Sequence, residues 1–339
     1  MKTIENIFFE INNNSFSHPE NTSTIFLGKI ESNWGFFLVE SLSRLWYYIE
    51  HPEICKFAYI APEDADVENI FGMHTNRILE VFSLLGIQIN QLRRITEDEI
   101  ENCIVPGESF HHLEVPTLGK KTANAYLEYL GKEVGGVPAY YFTDKYKTIY
   151  STIRDNCICD LPVYEKIYFS RARLKKKKEI GEKHLERIFA ENGFKILYPE
   201  QLPPSAQIWY VKNCKVLASV EGTLAHNSLF ASDGMKQIVL RKQSEIIPRQ
   251  YMINQAIGVE TSYIKCFKEP FKSFPISHSK GPFLLWASDE LQEFCADNGY
   301  RFFLPHLWSR LACFIEYTFK CIQFKVEKML KRIMKYKKG

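Results

Sequence analysis

Along "NWGFFLVESLSRLWYYIEH" the apolar residues Trp34, Phe37, Leu38, Leu42, Leu45, Trp46 and Ile49 recur at helical spacing, which predicts an amphipathic helix. Its polar stripe carries Asn33, Glu40 and Arg44. The run "KFAYIAP" then predicts a strand, "TNRILEVFSLLG" a helix ending at Gly86, and "ENCIVPG" and "HHLEVPT" short strands or loops. Strands alternating with helices imply an α/β layer architecture.

A second series follows the irregular "DNCICDLPVYE". Strand "KIYFS" leads to helix "EIGEKHLERIFAENG", strand "FKILYP", helix "SAQIWYVKN", strand "KVLASV", the helical "GTLAHNSLFA" and strand "KQIVLR". Four strands with three intervening helical segments over about 76 residues have the rhythm of a parallel sheet. The chain therefore divides into an N-terminal α/β domain (1–160), a Rossmann-like domain (161–300) and a helical tail (301–339).

The tail has an apolar face through Leu311, Phe314, Ile315, Ile322, Val326, Met329, Leu330 and Ile333. From 310 to 339, nine basic residues against two acidic leave a charge of +7. Such a basic amphipathic helix suits peripheral contact of residues 307–339 with an anionic membrane, and it equally suits a helix packed on the protein with a solvated end.

Composition narrows the function. The 339 residues are 45% hydrophobic, enough for real cores, and the net charge is only +3, which argues against a nucleic-acid binder. No charged-then-apolar leader and no uncharged run near the roughly 20 residues of a spanning helix is present, so a cytoplasmic location, extending to the inner face of the cell membrane, is expected. Nine scattered cysteines without paired CxxC spacing read as reduced core thiols, not as a metal site.

In a parallel α/β sheet, ligands bind beyond the carboxyl ends of the strands. Ser170, Arg171 and Arg173 follow the first predicted strand of the second series, Glu200 the second, Glu221 and Gly222 the third, and Arg241 the fourth. The stretch from Arg171 to Lys178 carries six basic residues in eight positions. Its lysines read as a solvated run, whereas the arginines leave the strand first and carry the planar fork suited to a diphosphate. Gly222 and Thr223 open a predicted helix whose free N–H groups make an anion site, with His226 and Asn227 on its first turn. Each residue alone reads as a local hydrogen-bonding group; together they make a plausible diphosphate pocket.

From Lys166 to Arg241 the order Ser170-Arg171, Gly181-Glu182, Gly193-Phe194, Pro199-Glu200, Gln207, Gly222 and Asn227 to Phe230 resembles glycosyltransferase family 61, in particular its bacterial members in capsular and surface polysaccharide biosynthesis. The N-terminal "NWGFFLVESLSRLW" is similar to the family's Asn-aromatic-Gly-His-Phe segment, with Phe36 in place of the His. Glu221 stands where the family's Gly-His-Gly turn has its His, and Gly181 replaces an Asn. The resemblance covers roughly residues 27–260. It implies a GT-B-like pair of Rossmann-like domains facing a cleft, and metal-independent, inverting transfer from a nucleotide sugar to a glycan or lipid-linked glycan acceptor.

Such a transfer needs cations for the departing diphosphate and a base for the acceptor hydroxyl. Arg171, Arg173 and the Thr223 helix start suit the first role, with Ser170, Glu182, Glu200, Gln207, Gly222 and Asn227 as further donor-side candidates. Glu40 is the leading base, with Glu221 and His226 as rivals and Asn33 and Arg44 on the acceptor side. Glu40 also reads as an i, i+4 surface partner of Arg44. A degenerate, non-catalytic family member that binds nucleotide sugar or a partner is the alternative, predicting binding without turnover.

Overall fold

The computed structural model describes residues 23–112, 133–134, 137–138, 140–174, 178–244, 248–277 and 280–336. Parts of two sequence readings, Lys175–Lys177 of the basic run and the 113–117 end of "HHLEVPT", lie outside the described residues, as do residues 337–339 of the tail.

The N-terminal half is built on a small parallel sheet. β1 (Thr24–Lys29) leads into the short α1 (Trp34–Phe36), a π-helical turn (Phe37–Ser41) and α2 (Trp46–Glu50). β2 (Lys56–Ile60), α3 (Thr75–Leu84) and β3 (Leu92–Arg94) follow, and the strands lie in the order β1-β2-β3. Ile104 bridges Ile25 in parallel, extending the sheet on the other side of β1. β4 (Phe110–His112), the ribbon of β5 (Glu133–Val134) and β6 (Val137–Pro138), and β7 (Tyr140–Phe142) precede the long α4 (Asp144–Asn156). β4 pairs with β7 in antiparallel fashion.

The expected continuous helix across residues 34–49 is broken. Asn33 caps its start, accepting from the N–H groups of Gly35 (3.0 Å) and Phe36 (3.4 Å). The π turn then shifts the i, i+4 register, and its freed carbonyls are answered from α4: the buried Tyr146 hydroxyl donates to the Val39 carbonyl at 2.9 Å and the Tyr150 hydroxyl to that of Leu38. Single π turns are tolerated where side chains satisfy the altered ladder, and they recur at functional sites.

The C-terminal half is a five-stranded parallel sheet. β8 (Lys166–Phe169) is followed by the two-residue β9 (Glu179–Ile180), α5 (Glu182–Glu191), β10 (Lys195–Leu197), α6 (Pro204–Asn213) and β11 (Val216–Val220). A 3₁₀ segment (Ala225–Phe230) leads to β12 (Lys236–Arg241), α7 (Pro248–Ile257) and β13 (Glu260–Lys265). The order β10-β8-β11-β12-β13 is doubly wound, with its direction reversing between β8 and β11. β14 (Phe267–Lys268) and β15 (Phe283–Leu285) join β9 in a small side sheet, followed by α8 (Asp289–Asp297) and the 30-residue α9 (Leu307–Tyr336).

One apolar cluster runs through both halves, from Phe37, Phe82 and Tyr146 to Phe169, Leu217 and Phe230. Each fully buried side chain of this kind contributes roughly 2–3 kcal/mol. Polar ties add direction: Arg77 Nη1 of α3 donates to the Leu202 carbonyl at 3.0 Å, and the Ser205 N–H donates to Glu80 at 2.8 Å. Six of the nine cysteines are buried, all nine are free thiols, and among the described residues no helix is long and apolar enough to cross a membrane.

Candidate active site

The loops leaving β8 and β11 diverge at the point where strand order reverses, the place where doubly wound sheets bind ligands. After β8, Ser170 is fully buried and its hydroxyl accepts the Ala172 N–H at 2.9 Å, tightening the turn. The Arg171 N–H donates to Glu182 Oε1 at 3.1 Å, which ties the arginine loop to the first residue of α5. Gly181 is needed just before it. Its φ of 96° is left-handed, and a Cβ there would stand 2.7 Å from the Leu285 carbonyl oxygen.

Glu182 is buried, and burial pushes its carboxyl up to about 8 against the partial relief of the Arg171 N–H, so it holds its proton at neutral pH. Glu179, equally buried, has the opposite fate. Burial alone would raise it, but Lys242 and Arg171 outweigh that and hold its carboxyl below the usual range. Lys242, just past β12, meets Glu179 at 3.1 Å, with both side chains about 5% exposed or less. Its ammonium also lies 3.5 Å from where a Gly222 Cβ would be, so a buried cation sits directly beneath the Gly222 turn.

The β11 turn differs from its expected form. Glu221 and Gly222 form turns, Gly222 at φ 121°, and the helical part begins only at Ala225 as six residues of 3₁₀ without a side-chain cap. Thr223 therefore caps nothing, and the expected anion site at an α-helix start is absent from this described segment. Six residues cannot build the aligned N–H groups that such a site requires. Thr223 instead faces the N-terminal half: its Oγ1 lies 2.9 Å from where a Gly35 Cβ would be. A side chain at 35 would hold the two halves apart at this point.

His226 is buried and its Nδ1–H donates to Gln250 Oε1 at 2.7 Å. Burial first, then Arg249, Arg171 and Lys242, depress it to about 3 despite the Gln250 bond, so it is neutral. Three cations thus converge on one imidazole. Gln250 continues the network to Ser228 (3.1 Å) and Asn254 (2.9 Å), and Asn254 donates to Gln237 at 2.8 Å. A base that weak accepts a hydroxyl proton poorly near neutrality, which removes His226 from the front of the base candidates.

Glu40 projects from the π turn and pairs with Arg249 Nη2 of α7 at 2.7 Å, across the two halves. Arg249 also stacks over the Phe36 ring at 4.5 Å. Arg44 does not join them. It binds the Pro106 carbonyl and Glu108 (3.0 Å), and Glu108 in turn takes His111 Nδ1 at 2.7 Å. The altered register of the π turn separates what an unbroken helix would place at i, i+4.

The remaining candidates spread outward. Arg173 is exposed and stacks on Tyr198 at 4.0 Å; Glu200 is exposed on the Pro199–Gln201 turn. Gln207 spends its amide on the Pro199 (2.9 Å) and Leu202 (3.1 Å) carbonyls, and Asn227 donates to the Leu224 carbonyl at 3.0 Å. Asn33 is the cap described above. Glu221 is buried, close enough to raise the stacked Tyr251 and Tyr263 hydroxyls, although burial contributes more to both.

Sequence reasoning missed Glu179, Lys242 and Arg249. Glu179 hides at the end of the lysine run, Lys242 one residue past a strand end already singled out, and Arg249 in a helix with no apolar periodicity. An Asp-x-Asp triplet, Asp64-Ala65-Asp66, is present in the N-terminal half. Asp66 serves a local turn, accepting the N–H groups of Glu68 (2.9 Å) and Asn69 (2.6 Å). Among the described residues no group of three or more His, Cys, Asp or Glu is placed to hold a metal ion.

A comparison with curated proteins returned no match. A family profile described as Glycosyltransferase 61 matches residues 34–239, from the helix start beside Gly35 to the fifth-strand neighbour β12, well over half of the sequence. The chain belongs to the glycosyltransferase 61 family.

Proposed function

We propose that the protein is an inverting, metal-independent glycosyltransferase that moves a hexosyl or pentosyl group from a nucleotide sugar to a hydroxyl of a capsular or other surface polysaccharide. Family membership supports transferase activity with a nucleotide-sugar donor and a glycan acceptor. The observation that carries the finer reading is the placement of cations at the β8/β11 switch point: Arg171 on the loop leaving β8, Lys242 beneath the Gly222 turn, and Arg249 paired with Glu40 across the two halves. In this reading the two α/β halves face each other in a GT-B-like manner, and the enzyme works in the cytoplasm at the inner face of the membrane.

The donor diphosphate lies between the Ser170–Arg171 loop and the Gly222 turn. Arg171 and Lys242 take its charge, the part a metal ion plays elsewhere. The acceptor oxygen attacks the anomeric carbon as the carbon–oxygen bond to the diphosphate breaks, and the leaving nucleoside diphosphate keeps the electron pair. Glu40 takes the acceptor proton once Arg249 yields it to the incoming substrate. Losing one charge-stabilising donor costs about 3 kcal/mol of barrier, on the order of a hundredfold in rate.

A second reading has its own support: Phe36 in place of the family His, and Glu40 occupied by Arg249 at 2.7 Å, suit a protein that binds nucleotide sugar without transferring it. The experiment is nucleotide release, as the nucleoside diphosphate from UDP-, GDP- and dTDP-sugars and as CMP from CMP-sugars, with glycan acceptors and with product configuration read by NMR. Release that Glu40→Gln abolishes, with an inverted anomeric centre, supports the transferase; saturable donor binding without release supports the second reading.

A further inference from the structure

α9 is packed by one side only. Tyr317 and Cys321 are buried beside Phe271 and Phe274, while Trp308, Ile315, Phe319, Ile322, Val326 and Met329 are between 43% and 79% exposed. At about 100° per residue this exposed stripe is centred roughly 160° from Tyr317, on the side turned away from the body. Isolated exposed apolar residues need no explanation, but an unbroken stripe of this length marks an interaction surface.

The charge around it selects the partner. Between Leu307 and Tyr336 there are seven basic residues and two acidic, Glu316 and Glu327, a charge of +5. At the helix start a cavity of about 260 Å³ is lined by Leu284, Trp286, Leu311 and Phe314, with Lys268 (4.0 Å) and Arg310 (4.6 Å) both over the Trp286 ring. Apolar walls rimmed by two cations fit a hydrocarbon chain below an anionic headgroup.

We propose that α9 docks the protein on an anionic lipid bilayer, its stripe entering the acyl boundary, with Lys325 beside the stripe and the basic residues of the opposite, polar face supplying the net charge that draws the helix to the headgroups. A second copy of the chain fits less well. The stripe does repeat every seven residues at Trp308, Ile315, Ile322 and Met329, as a coiled-coil seam would. In a parallel pair, however, Lys325 would face Leu330 and Thr318 would face Gln323, so no opposite charges meet and two +5 helices repel. Docking would hold the enzyme over acceptors carried on lipid, and it stands independently of the donor site.

The test is co-sedimentation of the full chain with vesicles of phosphatidylcholine alone and with an equal share of phosphatidylglycerol. Binding is expected to the anionic vesicles only and to weaken as salt is raised. Lys325→Ala with Lys328→Ala lowers partitioning about 25-fold, at about fivefold per basic residue. Phe319→Ser with Ile322→Ser abolishes it while the thermal melt is kept, because both side chains are exposed. Equal binding to both vesicles, or to neither, overturns the proposal. So does a dimer in sedimentation velocity that the Phe319→Ser/Ile322→Ser variant dissolves without any vesicle binding.

Discussion

Replacing Lys242 by Met isolates what the buried cation does. In the native protein Lys242 and Glu179 meet at 3.1 Å with almost no exposure, and at an effective dielectric near 20 that contact is worth roughly 5 kcal/mol of Coulomb energy before desolvation. Without the ammonium, Glu179 escapes an unpaired buried charge by keeping its proton. Glu182, buried nearby without a cation of its own at hydrogen-bonding distance, already does this at about 8. Holding a proton that the unfolded carboxyl would release near 4.5 costs about 3 kcal/mol at pH 7 but only about 1 kcal/mol at pH 5. Lys242→Met should therefore be less stable than wild type by up to about 3 kcal/mol at pH 7, and the deficit should shrink on acidification. Urea unfolding at the two pH values measures it, with Glu179→Gln/Lys242→Met as the companion that removes the orphaned acid and recovers most of the loss. A deficit equal at both pH values, or a double variant no better than the single, refutes the reasoning.

Three further outcomes follow from the same geometry. Glu182→Gln should be more stable than wild type by about 3 kcal/mol at pH 7 and nearly matched to it at pH 5, because a carboxyl raised to about 8 contributes stability below 4.5 that is lost as pH climbs through 8; denaturant unfolding reads this directly. His226 works in the other direction: its depression to about 3 leaves the unfolded chain binding more protons below about 6.5, so wild type should lose about 2 kcal/mol by pH 5, and His226→Gln should lack that acid loss in a pH series of melts. Gly35→Ala should cost about 1–3 kcal/mol by pressing its Cβ on Thr223. Adding Thr223→Ala should restore the melt; deficits that simply add would show that the two residues do not meet.

Much of the sheet was legible because parallel strands buried on both faces appear as short apolar runs. "KQIVLR" coincides with β12, and "KIYFS" and "KVLASV" each overrun the observed strand by one residue. β13, "ETSYIK", escaped because as an edge strand it alternates exposed and buried positions and carries polar residues on one face. The 34–49 helix misled for a different reason. Its apolar spacing is compatible with an unbroken helix, and only the tyrosine hydroxyls of α4, more than a hundred residues away, make the π turn favourable. The same distance hides the site: Arg171 could be found by its position after a strand, whereas Arg249 becomes visible only when α7 is folded against Phe36 and Glu40. Buried ion pairs such as Glu179–Lys242 leave no periodic trace in sequence, since each residue alone reads as surface charge.

The most direct test of the donor site is calorimetric titration of UDP and GDP into wild type, Arg171→Ala and Glu40→Gln. The account predicts saturable binding of one nucleotide to wild type, preserved in Glu40→Gln and weakened at least about tenfold in Arg171→Ala, since a charge-assisted contact to the diphosphate is worth about 1.5–3 kcal/mol. Binding that Arg171→Ala leaves unchanged, in a variant that melts like wild type, would contradict the placement of the donor between β8 and β11.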